Sequence, residues 1–229
     1  FQQSLNLQNH RGPDDNKIYY LQNLGTDNFE TKKEGLNTFP EVILGHKRLS
    51  ILDLSRKSQQ PVVENKFFMM YNGEFYNYKL YSQKNSKNSD TLTLFNNLVD
   101  SGYHFLKNVN GMWSIVFGNW RTKKMFLSRD RYGKKPLYYY KDNRYLIVSS
   151  EIKSIYKLLK INRKINKKKL AFYLTGRLSP FPNSEETFYS DVLSVKPGQI
   201  LEFDFRTGKL EEKYKLNFND LDQGLDNRI

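Results

Sequence analysis

The sequence predicts an α+β fold with antiparallel sheets rather than a doubly wound one. Three observations carry this. From residue 112 onward, short apolar runs follow one another, separated by polar turn pairs. Helical patterns are few. Strands and helices segregate along the chain instead of alternating as βαβ units.

The elements can be justified in order. Residues 41–46, "EVILGH", read as a strand, and "FFMMY" at 67–71 as another, broken off by Asn72-Gly73-Glu74. Residues 81–90 are polar and read as an exposed loop. Ser89-Asp90 can cap a helix over 91–100, with Leu92, Phe95, Leu98 and Val99 on one face and Gly102 past its end. "MWSIVFGNW", "KKMFLSRD", "PLYYYKD" and "RYLIVSS" then follow as an antiparallel meander, turned at Arg121-Thr122, Gly133-Lys134 and Asp142-Asn143. Their continuous apolar character predicts burial on both faces. Ser149-Ser150 and Glu151 open a second helix with Ile152, Ile155, Tyr156 and Leu159 inward. Asn166 opens a third over 167–174, ended by Gly176. Strands near 199–205 and 211–216 close the region. No internal repeat is evident.

Composition narrows the function. The 229 residues suffice for one large domain or two small ones. No run approaches the roughly 18 apolar residues of a membrane span, and no signal peptide is visible. Cysteine is absent, which removes disulfides, thiolate metal sites and a thiol nucleophile from these residues. The net charge of +13 concentrates in residues 121–135 and 153–169. Lys, Asn, Ile and Tyr are abundant throughout, however, and no zinc finger, RRM signature or basic zipper accompanies the charge, so nucleic-acid binding is disfavoured.

Asn72-Gly73 has two readings. Asn-Gly between apolar runs is a strong hairpin signal. It could instead hold a side-chain amide and a backbone N–H toward an oxygen that becomes negative, as an oxyanion hole does. Charged residues near other strand ends suggest a ligand. Arg11, in "HRGPDD" at 10–15, or Arg48 could clamp a carboxylate with two prongs. With the acids Glu74 and Asp90, that set suits a free amino acid whose side chain points at Asn72-Gly73. Taken singly, Arg48 could be a surface ion pair, Asp90 a helix cap and His10 a packed histidine.

Taken together, "NHRGPDD", "LGHKRLSILDLS", "QQP", "YNGEFYNY", "SDT", "NGMWSIVF", "LSRDRYGKKPLYY" and "SSEIKS" resemble the class II glutamine amidotransferase domain of glutamine-dependent asparagine synthetases. The resemblance is dense over residues 9–155 and continues to about 215. It implies a four-layer αββα Ntn-hydrolase sandwich with two antiparallel sheets, over a domain of residues 1–215. Residues 216–229 would then begin a linker to an ATP-dependent synthetase domain.

The resemblance also implies roles. Arg48 would bind the glutamine α-carboxylate, with Leu49, Ser50, Ile51 and Leu52 lining the pocket. Asn72 and Gly73 would form the oxyanion hole, and Glu74 with Asp90 would hold the α-ammonium. The nucleophile of the family is an N-terminal cysteine whose own α-amine acts as base. The chain starts at Phe1 without one, which places that cysteine in a segment ahead of Phe1 or makes the chain a nucleophile-less regulatory or docking module. No metal or cofactor is expected in these residues, while ATP and Mg belong to the synthetase domain. Expected partners are L-glutamine and that domain in cis, with a homodimer as a candidate assembly, no nucleic acid and no membrane, in the cytoplasm. The amide acceptor would be aspartate or a related carboxylate.

Overall fold

A computed structural model describes residues 1–13, 15–23, 29–32, 41–48, 59–82, 89–176, 184–217 and 220. Among them, six strands form the larger sheet: β4 (Val62–Glu64), β5 (Phe67–Phe75), β6 (Gly111–Asn119), β7 (Lys124–Arg129), β11 (Gln199–Asp204) and β12 (Leu210–Lys215), in the order β12-β11-β7-β6-β5-β4. One smaller sheet joins β1 (Asp15–Asn23), β2 (Phe29–Lys32) and β3 (Val42–Arg48) in the order β2-β1-β3. The other joins β8 (Tyr138–Lys141), β9 (Leu146–Ser149) and β10 (Leu193–Ser194) in the order β10-β8-β9. Every pairing is antiparallel.

The layering follows from the period of two along each strand. Odd residues of β5 and β6, among them Met69, Tyr71, Trp113, Ile115 and Phe117, pack with Leu94, Phe95 and Leu98 of α2 (Asp90–Ser101). Phe68 and Val116, from the opposite face, pack with Leu21 of β1, Leu44 of β3 and Tyr139 of β8. Outside β8 and β9 lies α3 (Ile152–Leu159), through Ile155 and Tyr156. Helix, sheet, sheets, helix is the expected αββα order. A short α1 (Gln2–Asn6) packs on α3, where Ser4 Oγ donates to the Ser154 carbonyl at 2.7 Å and Ser154 Oγ returns the bond to the Ser4 carbonyl at 3.1 Å. Each large side chain fully buried here contributes about 1.5–3 kcal/mol.

Two of the three cap signals hold as side-chain caps, while α3 has Glu151 at its N-cap with no side-chain cap bond. Ser89 Oγ accepts from Leu92 N–H at 3.2 Å, and Asn166 Oδ1 accepts from Lys169 N–H at 3.1 Å to open α4 (Lys167–Leu174). Several expectations need correction. The helix read at 167–174 would, like those near 91 and 151, cover an outer face of the sandwich, but α4 buries none of its side chains. Its first turn is three lysines, and its apolar residues Leu170, Tyr173 and Leu174, at i, i+3 and i+4, stay exposed. The four-strand meander is broken in the middle: β6 and β7 pair in the large sheet, β8 and β9 in a small one. Burial on both faces holds for β6 and β7, but no residue of β9 is fully buried. Strand β1, with the apolar run Ile18-Tyr19-Tyr20-Leu21, is an addition to the strands read from the sequence, and its register with β3 runs from Asp15↔Arg48 to Leu21↔Val42. Most of the loop read at 81–90 lies outside the described residues, as do residues 218–219 and 221–229 of the expected linker.

The meander breaks at residues 129–135, where three charged side chains are consumed by main-chain groups. Asp130, fully buried, accepts N–H bonds from Trp113 at 3.3 Å and from Tyr132, Lys134 and Lys135 at 3.0 Å each. Arg131 donates to the carbonyls of Val109, Leu106, Lys107 and Asn217. Arg129 donates to the carbonyls of Gly133, Lys135 and Val195 and to Ser194 Oγ. Gly133 sits at φ +65°, a left-handed conformation that glycine adopts without penalty. The loop carries the chain from one sheet to the other.

Candidate active site

Strand β5 does not end at Tyr71, and Asn72-Gly73 is not a hairpin turn. The strand runs on to Phe75, paired with β6 throughout, with Asn72 opposite Ser114 and Gly73 opposite Trp113. What changes at this point is the other edge. Strand β4 pairs only with Phe67, Phe68 and Met69. Beyond it, the side chain of Gln60 takes over: its Nε2 donates to the Tyr71 carbonyl at 2.8 Å and its Oε1 accepts from Tyr71 N–H at 2.6 Å. Two residues past Gly73, Phe75 N–H donates to Asp90 Oδ2 at 3.3 Å.

These bonds set the phase of the strand. Main-chain groups of alternate residues point to the same edge. Tyr71 and Phe75 therefore point away from β6, as does Gly73 between them, while Tyr76 N–H reaches Asn110 on the β6 side. The Gly73 N–H faces the β4 edge of the sheet, where among the described residues β4 pairs no further than Met69. Glycine is required there, because a Cβ would fall 2.1 Å from the Met112 carbonyl oxygen. The same alternation puts the Asn72 side chain on the inner face with Met70.

Asn72 and Gly73 both border a cleft of about 600 Å³. Its walls include Gly45 and Lys47 of β3 and Val148 and Ser149 of β9, and its floor Met70, Ser114 and Val116. Glu74, Asp90, Lys135 and Phe1 also line it. Four of the residues singled out from the sequence, Asn72, Gly73, Glu74 and Asp90, thus meet in one cavity. Asp90 is not the cap of α2, since Ser89 is. Its carboxylate ties the helix to β5, accepting from Thr91 N–H at 2.7 Å, the Tyr71 hydroxyl at 3.2 Å and Phe75 N–H. Burial, reinforced by Asp90, holds the Tyr71 phenol well above its ordinary range.

Arg11 does not serve as a free carboxylate clamp. Its Nη1 lies 3.0 Å from Glu151 Oε1, and His10 Nε2 lies 3.4 Å from the same oxygen. Arg48 has its main chain at the end of β3, opposite Asp15. Its side chain, and residues Leu49, Ser50, Ile51 and Leu52, lie outside the described residues. Sequence reasoning missed Gln60 and Tyr71 as builders of the site. Gln60 stood within the quoted "QQP", but nothing local indicates that its carboxamide pairs with a strand. Among the described residues, no group of three or more His, Asp or Glu could hold a metal.

The glutamine amidotransferase domain family matches residues 1–215. The chain belongs to that family. Among its relatives, a Methanocaldococcus jannaschii protein with the provisional name asparagine synthetase (glutamine-hydrolyzing) 2 is 34% identical over 230 residues, covering 90% of this chain and 41% of its own length. Asparagine synthetase (glutamine-hydrolyzing) 2 of Bacillus subtilis is 29% identical over 209 residues, covering 87% of this chain and 25% of its own. The chain therefore spans less than half the length of these relatives. The structure of the glutamine phosphoribosylpyrophosphate amidotransferase from B. subtilis superposes with a TM-score of 0.59 at 17% identity, over 94% of this chain and 46% of that one. This amidotransferase domain is homologous to part of glutamine-hydrolyzing asparagine synthetases and shares its fold with that phosphoribosylpyrophosphate amidotransferase.

Proposed function

We propose that this amidotransferase domain hydrolyses glutamine and supplies ammonia to an ATP-dependent synthetase portion of the same protein. The observation that carries the reading is the pair of donors, the Asn72 carboxamide and the Gly73 N–H, bordering one cleft with two carboxylates. A cysteine thiolate on a segment reaching the cleft near Phe1 attacks the side-chain carbonyl carbon of glutamine. The carbonyl oxygen takes the negative charge and receives hydrogen bonds from Asn72 and Gly73, whose placement before reaction is the main source of stabilisation. Collapse of the tetrahedral adduct, with a proton delivered to the leaving nitrogen, releases ammonia and leaves a thioester. Water then hydrolyses the thioester to glutamate. Glu74 and Asp90 hold the α-ammonium, and Arg48, with Leu49 to Leu52, the α-carboxylate.

The names of the relatives support aspartate as acceptor, with a related carboxylate as the alternative. ATP and Mg would act in the synthetase portion, where the acceptor carboxylate is activated, and we place the reaction in the cytoplasm, where ATP is available. The test uses the full-length protein. Its mature N-terminal residue is determined, and amide synthesis is measured with glutamine and with ammonium as nitrogen donor. An N-terminal cysteine whose replacement by alanine abolishes the glutamine-dependent rate and spares the ammonium-dependent rate supports the reading. Unchanged glutamine hydrolysis without that cysteine refutes it.

A further inference from the structure

We propose that Gln60 is a positioning residue for the oxyanion site, and that its side chain, by standing in for a strand residue, is what leaves the Gly73 N–H open. This rests on the reading of Gly73 as an oxyanion donor. The register of β4 on β5 runs Glu64↔Phe67, Val63↔Phe68, Val62↔Met69. Continued by two residues, it brings position 60 opposite Tyr71. Position 60 does pair with Tyr71, but through its carboxamide rather than its main chain. The two bonds are those a neighbouring strand would make, one donated to the carbonyl and one accepted from the N–H.

The substitution of side chain for main chain has a geometric consequence. The backbone at Gln60 stands off from β5 by the length of a glutamine side chain. A ladder continued by main chain would next cover Gly73, and among the described residues the pairing ends one position short, at Tyr71. Gln60 also removes a problem that an opened edge creates. Tyr71 is buried, and its N–H and C=O would otherwise be unpaired away from water. The clamp at Tyr71 and the Asp90 bond at Phe75 then pin β5 on either side of Gly73. A buried glutamine that merely satisfied its own polar groups could do so with any main-chain partners. This one spends both ends of its amide on the residue adjoining Asn72-Gly73.

The test compares Gln60→Leu and Gln60→Glu with the wild-type full-length protein. Misplacing a catalytic donor by about 1 Å can cost on the order of a hundredfold in rate. Gln60→Leu is expected to lower kcat for glutamine hydrolysis by roughly ten- to a hundredfold, with KM little changed and the ammonium-dependent rate intact. Tyr71 amide exchange should accelerate and the Gly73 amide resonance should shift. Gln60→Glu offers rescue. Its neutral carboxylic acid can donate to the Tyr71 carbonyl and accept from the N–H, whereas its carboxylate, beside Asp90 and Glu74, cannot donate. Activity relative to wild type should therefore recover as the pH falls through the introduced carboxyl's titration. Unchanged kcat in Gln60→Leu with faster Tyr71 exchange would reduce the clamp to a structural bond and overturn the proposal. Unaltered Tyr71 exchange would overturn it too. Should the wild type hydrolyse no glutamine, the functional reading fails separately. The Gly73 resonance then decides, a shift in Gln60→Leu supporting the positioning role and no shift refuting it.

Discussion

Residues 129–135 and residues 71–75 present opposite uses of polar groups. The first stretch, Arg129-Asp130-Arg131 and its loop, is dense in charge and looks like chemistry. All three side chains are nonetheless engaged by main-chain groups, and the loop is a latch between sheets. The second stretch is nearly neutral at its centre, where Asn72 and Gly73 line a cleft. Charge density is thus a poor guide to reactivity in this domain. In the proposed reading the groups that meet the substrate are a glycine and an asparagine lining the cleft, rather than these arginines.

The largest expected effect tests the latch. Asp130→Ala leaves four N–H groups without their carboxylate, at about 1–3 kcal/mol for each that stays unsatisfied. A loss of about 4 kcal/mol or more in unfolding free energy is expected, a large share of a typical domain's total. Urea denaturation measures it, and a loss under about 1 kcal/mol would show that the latch holds little. Asn72→Ala should do the reverse. We expect kcat for glutamine hydrolysis to fall by roughly 10²–10³ while the urea midpoint stays within the small range of neutral substitutions. A comparable loss of stability would break the contrast by making Asn72 structural.

Arg48→Lys comes next. Loss of a forked, charge-assisted contact to the α-carboxylate is worth about 1.5–3 kcal/mol, or roughly a ten- to hundredfold rise in the glutamine KM. The fall in kcat should be smaller, because the contact is made in ground and transition states alike. Loss of the ammonium-dependent rate in that variant would mean the glutamine placement is wrong.

The smallest effect concerns alkaline stability. The Tyr71 phenol is raised by burial and by Asp90. Below about pH 10 both folded and unfolded chains keep this proton, so its contribution to stability is fully present. Above that, the unfolded chain gives the proton up while the native one retains it, and stability falls, by at most about 1.4 kcal/mol per pH unit for this group. Tyr139 and Tyr156, raised by burial and by Glu185 and Asp191 respectively, act in the same direction. Urea titrations between pH 8 and 11 should show a shallower decline in Tyr71→Phe. An unchanged slope would detach Tyr71 from the site's electrostatics.

Legibility in the sequence followed the range of the interactions. The Ser89 and Asn166 caps, the apolar face of α2 and the strands at 111–119 and 124–129 were readable because each depends on neighbours a few residues away. Asn72, Gly73, Glu74 and Asp90 were readable as a set through the resemblance and the logic of an amino-acid ligand. The broken meander was not, because the partners of Arg131 stand more than 20 residues away and its role has no local signature. Nor was the pairing of Arg11 with Glu151, 140 residues apart, which removes a carboxylate clamp that the HRGPDD loop seemed to offer.

By itself the sequence determined the α+β class, the antiparallel pairing, the family and the residue types of the candidate site, since those are recorded in periodicity, caps and motif order. Only the tertiary structure decided which donors remain open. Strand β5 passes straight through Asn72-Gly73, and among the described residues β4 ends short of Gly73, with a glutamine side chain in place of main chain at Tyr71. That outcome depends on where two separated segments meet, and main-chain hydrogen bonds, identical at every residue, leave no trace of their partners in the sequence.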